Sequence, residues 1–311
     1  MDPTPDLADP RAEEGNHHET RIGAGVTHWW QYGPADAATT AIFVHGFRGD
    51  HHGLGRVAGQ LQRTFPEPVR LVIPDLPGFG RSTAHGGALD LPAYARWLRG
   101  FTAAVAGETR VLLIGHSFGS VVAAAAVACD PEGRAPWRLA LINPIGAPAL
   151  AGPRRVGTAL AVAYYQLAAH LPERAGFALL QNPAVVRVMS IAMAKTRDPA
   201  LRRWIHDQHR RYFSLFESRH SLLQAFRASV ENDVSMFAGR IAVPTLLIAA
   251  DRDDITPLAA QRRLRTLFAD ARLAVIHGAG HLVHYEAPAL AAWEIARFAS
   301  SDGCPAAGSR P

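Results

Sequence analysis

Short apolar runs, each stopped by glycine or proline, alternate along this chain with stretches whose apolar residues recur every third or fourth position. Ala41-Ile42-Phe43-Val44, Val69 to Ile73, Val111 to Ile114, Trp137 to Ile142, Thr245 to Ala250 and Leu273 to Ile276 read as buried strands. Between the first two, Leu54 to Phe65 sets Leu54, Val57, Leu61 and Phe65 on one side of a helix. Leu91 to Val105 predicts another, with Asp90 as its N-cap and Pro92 in the first turn. Leu258 to Phe268 and Ala289 to Phe298 predict two more, and Arg21 to Gly33 an edge hairpin. Strands alternating with helices predict an α/β fold with a doubly wound, mostly parallel sheet and right-handed crossovers.

One segment breaks the rhythm. From Ala147 to Met236 the pattern is helical, with helices expected at Gly157 to His170, Phe177 to Ala194, Leu201 to Phe216 and Ser221 to Val230. Pro172 and Pro183 mark breaks. Inserted between two core strands, this piece is expected to lie over the carboxyl ends of the sheet as a lid. The chain then divides into a core at 21–146 and 237–300, a helical lid at 147–236, a disordered N-terminal tail at 1–20 and a C-terminal tail at 301–311.

At 311 residues, 48% hydrophobic and 19% charged, the chain has room for one large core. No apolar run is expected to reach the roughly 18 residues that span a bilayer, and no basic-then-apolar leader opens the chain. Cys129 and Cys304 fall far apart, one in an apolar helix and one in a tail, so a reduced, cytoplasmic setting is expected. The net charge of +5 comes almost wholly from arginine, Lys195 being the single lysine. Without basic runs and interleaved aromatics, nucleic acid is excluded as a partner. Neither stable membrane insertion nor a fixed oligomer is implied, and a monomer or homodimer fits.

The chemistry concentrates at Val111 to Ser120, where an apolar strand runs through Gly115-His116-Ser117-Phe118-Gly119 into a small-residue helix. So tight a turn lifts the Ser117 hydroxyl clear of the sheet and puts the Phe118 amide at a helix N-terminus, where it can hold a developing anion. A serine needs a base, and the base needs a carboxylate to orient it. His281, in Gly278-Ala279-Gly280-His281 after a strand, is the candidate base. The carboxylate belongs to Asp251-Arg252-Asp253-Asp254, at the end of the strand Thr245 to Ala250. The order Ser, Asp, His is the one this arrangement uses.

With His45-Gly46-Phe47 and Asp75-Leu76-Pro77-Gly78-Phe79-Gly80-Arg81-Ser82, these motifs resemble an α/β-hydrolase-fold serine hydrolase over roughly residues 21 to 300. The resemblance implies Ser117, Asp253 and His281 as the catalytic set. It picks Asp253 because the acid usually lies third after a small residue, here Ala250, and because Asn143 stands at the alternative acid position. It implies an oxyanion hole from the backbone amides of Phe47 and Phe118. The substrate pocket is assigned to His45, Gly46 and His116 beside the elbow, with His45 expected to brace its loop, and to Tyr164 and Tyr165 of the lid.

Serine at position 117 excludes the branches that place Asp there. The reading is hydrolysis of a carboxylic ester of a small to medium hydrophobic substrate through an acyl-enzyme. Carbon–carbon bond hydrolysis of ring-cleavage products is the nearest alternative. It is weakened because Arg48-Gly49-Asp50 is no Gly-Pro-Gly segment and Leu282-Val283-His284 carries no Trp. A cofactor-free perhydrolase or haloperoxidase could run on the same residues. A non-catalytic ligand-binding protein of this fold is the reading from another class, although such proteins usually lose Ser, His or Asp. No cofactor is called for. His51, His52, His277 and His284 tempt a metal reading but show no matching carboxylate or cysteine set at ligand spacing, so no metal is expected.

Overall fold

The structure, a computed structural model, describes residues 15–84, 86–130, 133, 136–148 and 155–300. The elements run β1 (Asn16–Ile22), β2 (Gly25–Tyr32), β3 (Thr39–Val44), α1 (His51–Thr64), β4 (Val69–Pro74), α2 (Leu91–Ala106), β5 (Arg110–His116), α3 (Phe118–Ala128) and β6 (Arg138–Ile142). Then come α4 (Arg155–His170), α5 (Glu173–Leu180), α6 (Pro183–Met193), α7 (Pro199–Tyr212), α8 (Arg219–Glu231) and α9 (Ser235–Ala238). The chain closes with β7 (Thr245–Ala250), α10 (Leu258–Arg265), β8 (Ala271–Ile276), α11 (Val283–Glu286) and α12 (Pro288–Ser300).

The strands form one 8-stranded sheet in the order β1-β2-β4-β3-β5-β6-β7-β8. β1 and β2 pair antiparallel, β2 meets β4 antiparallel, and every later pairing is parallel. Because side chains alternate across a strand, each central strand feeds two cores. Ile42, Val44, Leu113, Leu139 and Leu247 pack with residues of α2 and α3. Ala41, Phe43, Leu112, Ile114, Ala140 and Ile248 pack with α1 and α12 on the opposite face. The apolar runs within these strands thus follow from burial on both sides.

Residues 16–20, assigned above to the N-terminal tail, form most of β1. The segment NHHETRI is polar, with His17, Glu19 and Arg21 exposed, because an edge strand needs apolar residues on one face at most. The expected tail at 301–311, with Cys304, and residues 1–14 lie outside the described residues. Cys129 caps the C-terminus of α3 and is exposed rather than inside the apolar helix.

The segment between β6 and β7 is helical, α4 to α9, as its spacing predicts. The helix expected over Phe177 to Ala194 is two, because Asn182 accepts from the Ala184 and Val185 amides and Pro183 opens α6. Glu173–Met193 is, by length and mean hydropathy, long and apolar enough to cross a membrane. The expectation concerned an unbroken apolar run, and this segment is two helices joined at Gln181 and Asn182. The average tolerates Glu173, Arg174 and Arg187, which interrupt any unbroken apolar run.

Candidate active site

Five loops leave the carboxyl ends of β3, β5, β6, β7 and β8, and they carry Phe47, Ser117, Asn143, Asp253 and His281 respectively. The parallel pairing of these strands brings residues far apart in sequence to one edge of the sheet. Ser117 sits between β5 and α3 with φ 54° and ψ −119°, a left-handed conformation that a non-glycine residue adopts only under constraint. The constraint is visible next door. A Cβ on Gly115 would lie 2.6 Å from the carbonyl oxygen of Gly119, and one on Gly119 would lie 2.1 Å from that of Val44. Helix and strand approach too closely there for any side chain.

The three predicted residues meet. His281 Nε2 lies 2.9 Å from Ser117 Oγ, and His281 Nδ1 lies 2.8 Å from Asp253 Oδ2. Asp253 also accepts from the Ile255 amide at 2.6 Å and from the Thr256 amide and hydroxyl at 3.0 and 2.5 Å. Burial alone would raise the Asp253 carboxyl pKa. The neighbouring His281 and the hydrogen bonds from His281 and Thr256 outweigh burial and hold it well below the usual carboxylate range. An ionised Asp253 that accepts from Nδ1–H leaves Nε2 free to take a proton from Ser117.

The other aspartates of that loop have different partners. Asp251 accepts from the Gly278 amide and pairs with His277, and Asp254 pairs with Lys195 at 2.6 Å. Both are engaged by neighbouring loops.

The pocket residues divide. Gly46 lies against the nucleophile, since a Cβ there would come within 3.2 Å of Ser117 Cβ. His45, however, engages both ring nitrogens inside the protein: Nδ1 is 2.8 Å from the Gly46 oxygen and Nε2 accepts from the Leu76 amide at 2.8 Å. Both contacts tie the ring to its own loop and to the start of the loop after β4, and burial lowers its pKa. His116 is likewise buried, with Nε2 3.1 Å from the His281 carbonyl oxygen. Burial, and then the nearby His281, push its pKa down to about 3, so it is neutral at ordinary pH. Tyr165 accepts from Arg48 at 3.1 Å and Tyr164 donates to the Leu179 oxygen at 2.9 Å, so both hydroxyls are engaged by the protein. The Tyr165 ring remains beside Phe47, which lies 5.8 Å from Tyr165 and from Phe226 and 5.9 Å from Phe79, and the Tyr164 ring packs 5.1 Å from that of Tyr165.

Three supporting residues escape local pattern reading. Asn143 Nδ2 donates to the carbonyl oxygens of Gly280 and His281. Glu286 accepts from the Gly280 amide at 2.5 Å and from the Thr196 amide at 2.8 Å, tying the histidine loop to the insertion. Arg48, buried with φ 61°, donates to the carbonyls of Phe213 and Leu180 at the C-terminal ends of α7 and α5. Its charge there complements two helix dipoles.

The expectation that no carboxylate matches His51 and His52 is corrected. Asp50, as N-cap of α1, lies 3.2 Å from His52 Nδ1, and donor atoms of Asp50, His51 and His52 fall within 4.8 Å of one another.

The family model for the alpha/beta hydrolase family matches residues 41–293, and the chain belongs to that family. No curated protein matches it in sequence. Among solved structures it is similar to a membrane phospholipase A that is a bacterial virulence factor, at 21% identity and TM-score 0.72, covering 94% of this chain and 90% of that one. It is similar to a thermophilic esterase from Thermogutta terrifontis at 19% identity and TM-score 0.69, over 91% of this chain and 98% of that one. An enol-lactonase from Burkholderia xenovorans gives 18% identity and TM-score 0.71, over 91% of this chain and all of that one, 100%. At these identities the likeness is one of fold.

Proposed function

We propose that this protein is a serine hydrolase that cleaves a carboxylic ester of a small to medium hydrophobic substrate through an acyl-enzyme. The observation that carries the reading is the unbroken relay Asp253–His281–Ser117, with contacts of 2.8 and 2.9 Å, on a strained elbow. Ser117 Oγ attacks the acyl carbon as its proton passes to His281 Nε2, and Asp253 stabilises the imidazolium. The Phe47 and Phe118 amides hold the oxyanion, each donor contributing about 3 kcal/mol to the transition state. Collapse expels the alcohol with the proton from His281, and water repeats the sequence on the acyl-serine.

The Phe47, Phe79, Tyr165 and Phe226 ring cluster supports an apolar acyl or alcohol group. The three similar structures belong to a phospholipase, an esterase and an enol-lactonase, names that share ester-type substrates. The helices between β6 and β7 act as the lid over this site. A series of p-nitrophenyl esters from acetate to laurate tests the reading: a chain-length optimum beyond acetate supports it, and silence across the series contradicts it.

A further inference from the structure

His17 and Glu19 lie two apart on β1, so their side chains share a face. The antiparallel register sets His28 opposite Glu19 and Trp30 opposite His17, which puts all four on that face. His17 Nε2 and His28 Nδ1 are 2.9 Å apart, and Glu19 Oε1 is 3.5 Å from His28 Nδ1. The three donor atoms fall within 4.8 Å of one another. We propose that His17, Glu19 and His28 form a zinc-binding site that clasps the edge hairpin.

The donor set selects the metal. Two imidazoles and one carboxylate suit zinc and its late first-row neighbours, whereas magnesium and calcium take oxygen ligands. Zinc bonds of about 2.0–2.2 Å in tetrahedral geometry place donors about 3.3 Å apart, close to the spacings already present. The fourth position opens to water, since His17 and Glu19 are exposed.

The donors are also held in place. The His28 amide donates to Ser82 Oγ at 2.9 Å, and its carbonyl accepts from the Asp75 amide at 2.9 Å. Trp30, buried and 5.0 Å from the His17 ring, walls one side. The group Asp50, His51 and His52 has similar spacing, but it is engaged by the fold around it, whereas His17 Nε2 and His28 Nδ1 hydrogen-bond to each other and Glu19 pairs with His28. His51 Nδ1 meets Asp75 at 2.9 Å, and Asp50 Oδ1 caps α1.

The test is calorimetric titration of the untagged, metal-free full chain with zinc chloride, on wild type, Glu19→Gln, the double variant His17→Ala/His28→Ala, and His52→Ala. Wild type and His52→Ala should bind one zinc with Kd in the micromolar range or tighter. Glu19→Gln should be weaker by at least about tenfold, and the double variant should show no such site. Zinc should raise the melting temperature of wild type and not of the double variant. Ester hydrolysis, as a check of folding, should stay at the wild-type level in all of them. No zinc binding by wild type, binding that survives in the double variant, or binding lost in His52→Ala would each overturn the proposal.

Discussion

Asn143 donates through Nδ2 to the carbonyl oxygens of Gly280 and His281, each at 3.0 Å, while its Oδ1 accepts from the Ala250 amide at 2.9 Å. One buried amide therefore ties the end of β6 to the end of β7 and to the backbone of the residue that faces Ser117. His116 grips the same His281 carbonyl from the nucleophile side. The histidine is positioned through its main chain as well as its ring.

Removing that grip should slow chemistry more than binding. Asn143→Ala should lower kcat by up to about 10²-fold with little change in KM, because misplacing a reacting group costs on that scale. Asn143→Asp keeps the shape but turns an acceptor toward two carbonyl oxygens, so it should do at least as much harm. Steady-state kinetics on folded protein decides it, and a wild-type kcat in Asn143→Asp would contradict the assignment.

Asp253→Asn cannot hold the imidazolium and favours the wrong tautomer of His281. Activity should fall by about 10⁴, the scale of the same change in a triad protease. Asp251→Asn and Asp254→Asn should stay near wild type, because their partners are His277 and Lys195. Near-wild-type turnover in Asp253→Asn would move the acid elsewhere.

Stability should fall with acid well before the carboxylates titrate. Burial holds His209 down to about 4 and His116 down to about 3, and His284 and His45 are lowered the same way. In the unfolded chain these groups take protons from about pH 6.5 downward. The folded state refuses those protons until its own lower pKa values are reached, so stability drops as pH falls through that window. Asp253 acts next: its depressed pKa stabilises above about 3.9, and that contribution fades as pH falls further. Urea midpoints between pH 8 and pH 4.5 should decline steadily below 6.5. A flat profile would mean these histidines are solvated.

Arg48 joins the loop that carries Phe47 to two ends of the helical insertion. Arg48→Met leaves the Leu180 and Phe213 carbonyls without that donor, and should cost at least about 2 kcal/mol in chemical denaturation. Arg48→Lys should recover little, since one ammonium cannot reach acceptors set for a planar fork. An unchanged unfolding midpoint in Arg48→Met would show that the clamp is not holding the insertion.

The strand and helix series was legible because burial on both faces leaves Ala41 to Val44 or Leu246 to Ala250 wholly apolar. Ser117 and His281 were legible because local glycines announce the turns that carry them. What stayed hidden is long-range. Glu286 bonds Lys195 and Thr196 across about ninety residues of sequence, and Asn143 reaches the histidine loop over a larger gap. Neither leaves a periodic or local trace. β1 was missed because an edge strand with a solvent face need not look apolar, and the polar residues that hid it are the ones that meet His28.

The central claim is that His281 and Asp253 activate Ser117. Labelling by a fluorophosphonate probe, on wild type and Ser117→Ala with mass mapping of the adduct, tests it most directly. One adduct on Ser117 in wild type and none in the variant is the predicted result. A folded wild type that takes no label, or a variant labelled as fast as wild type, would contradict it.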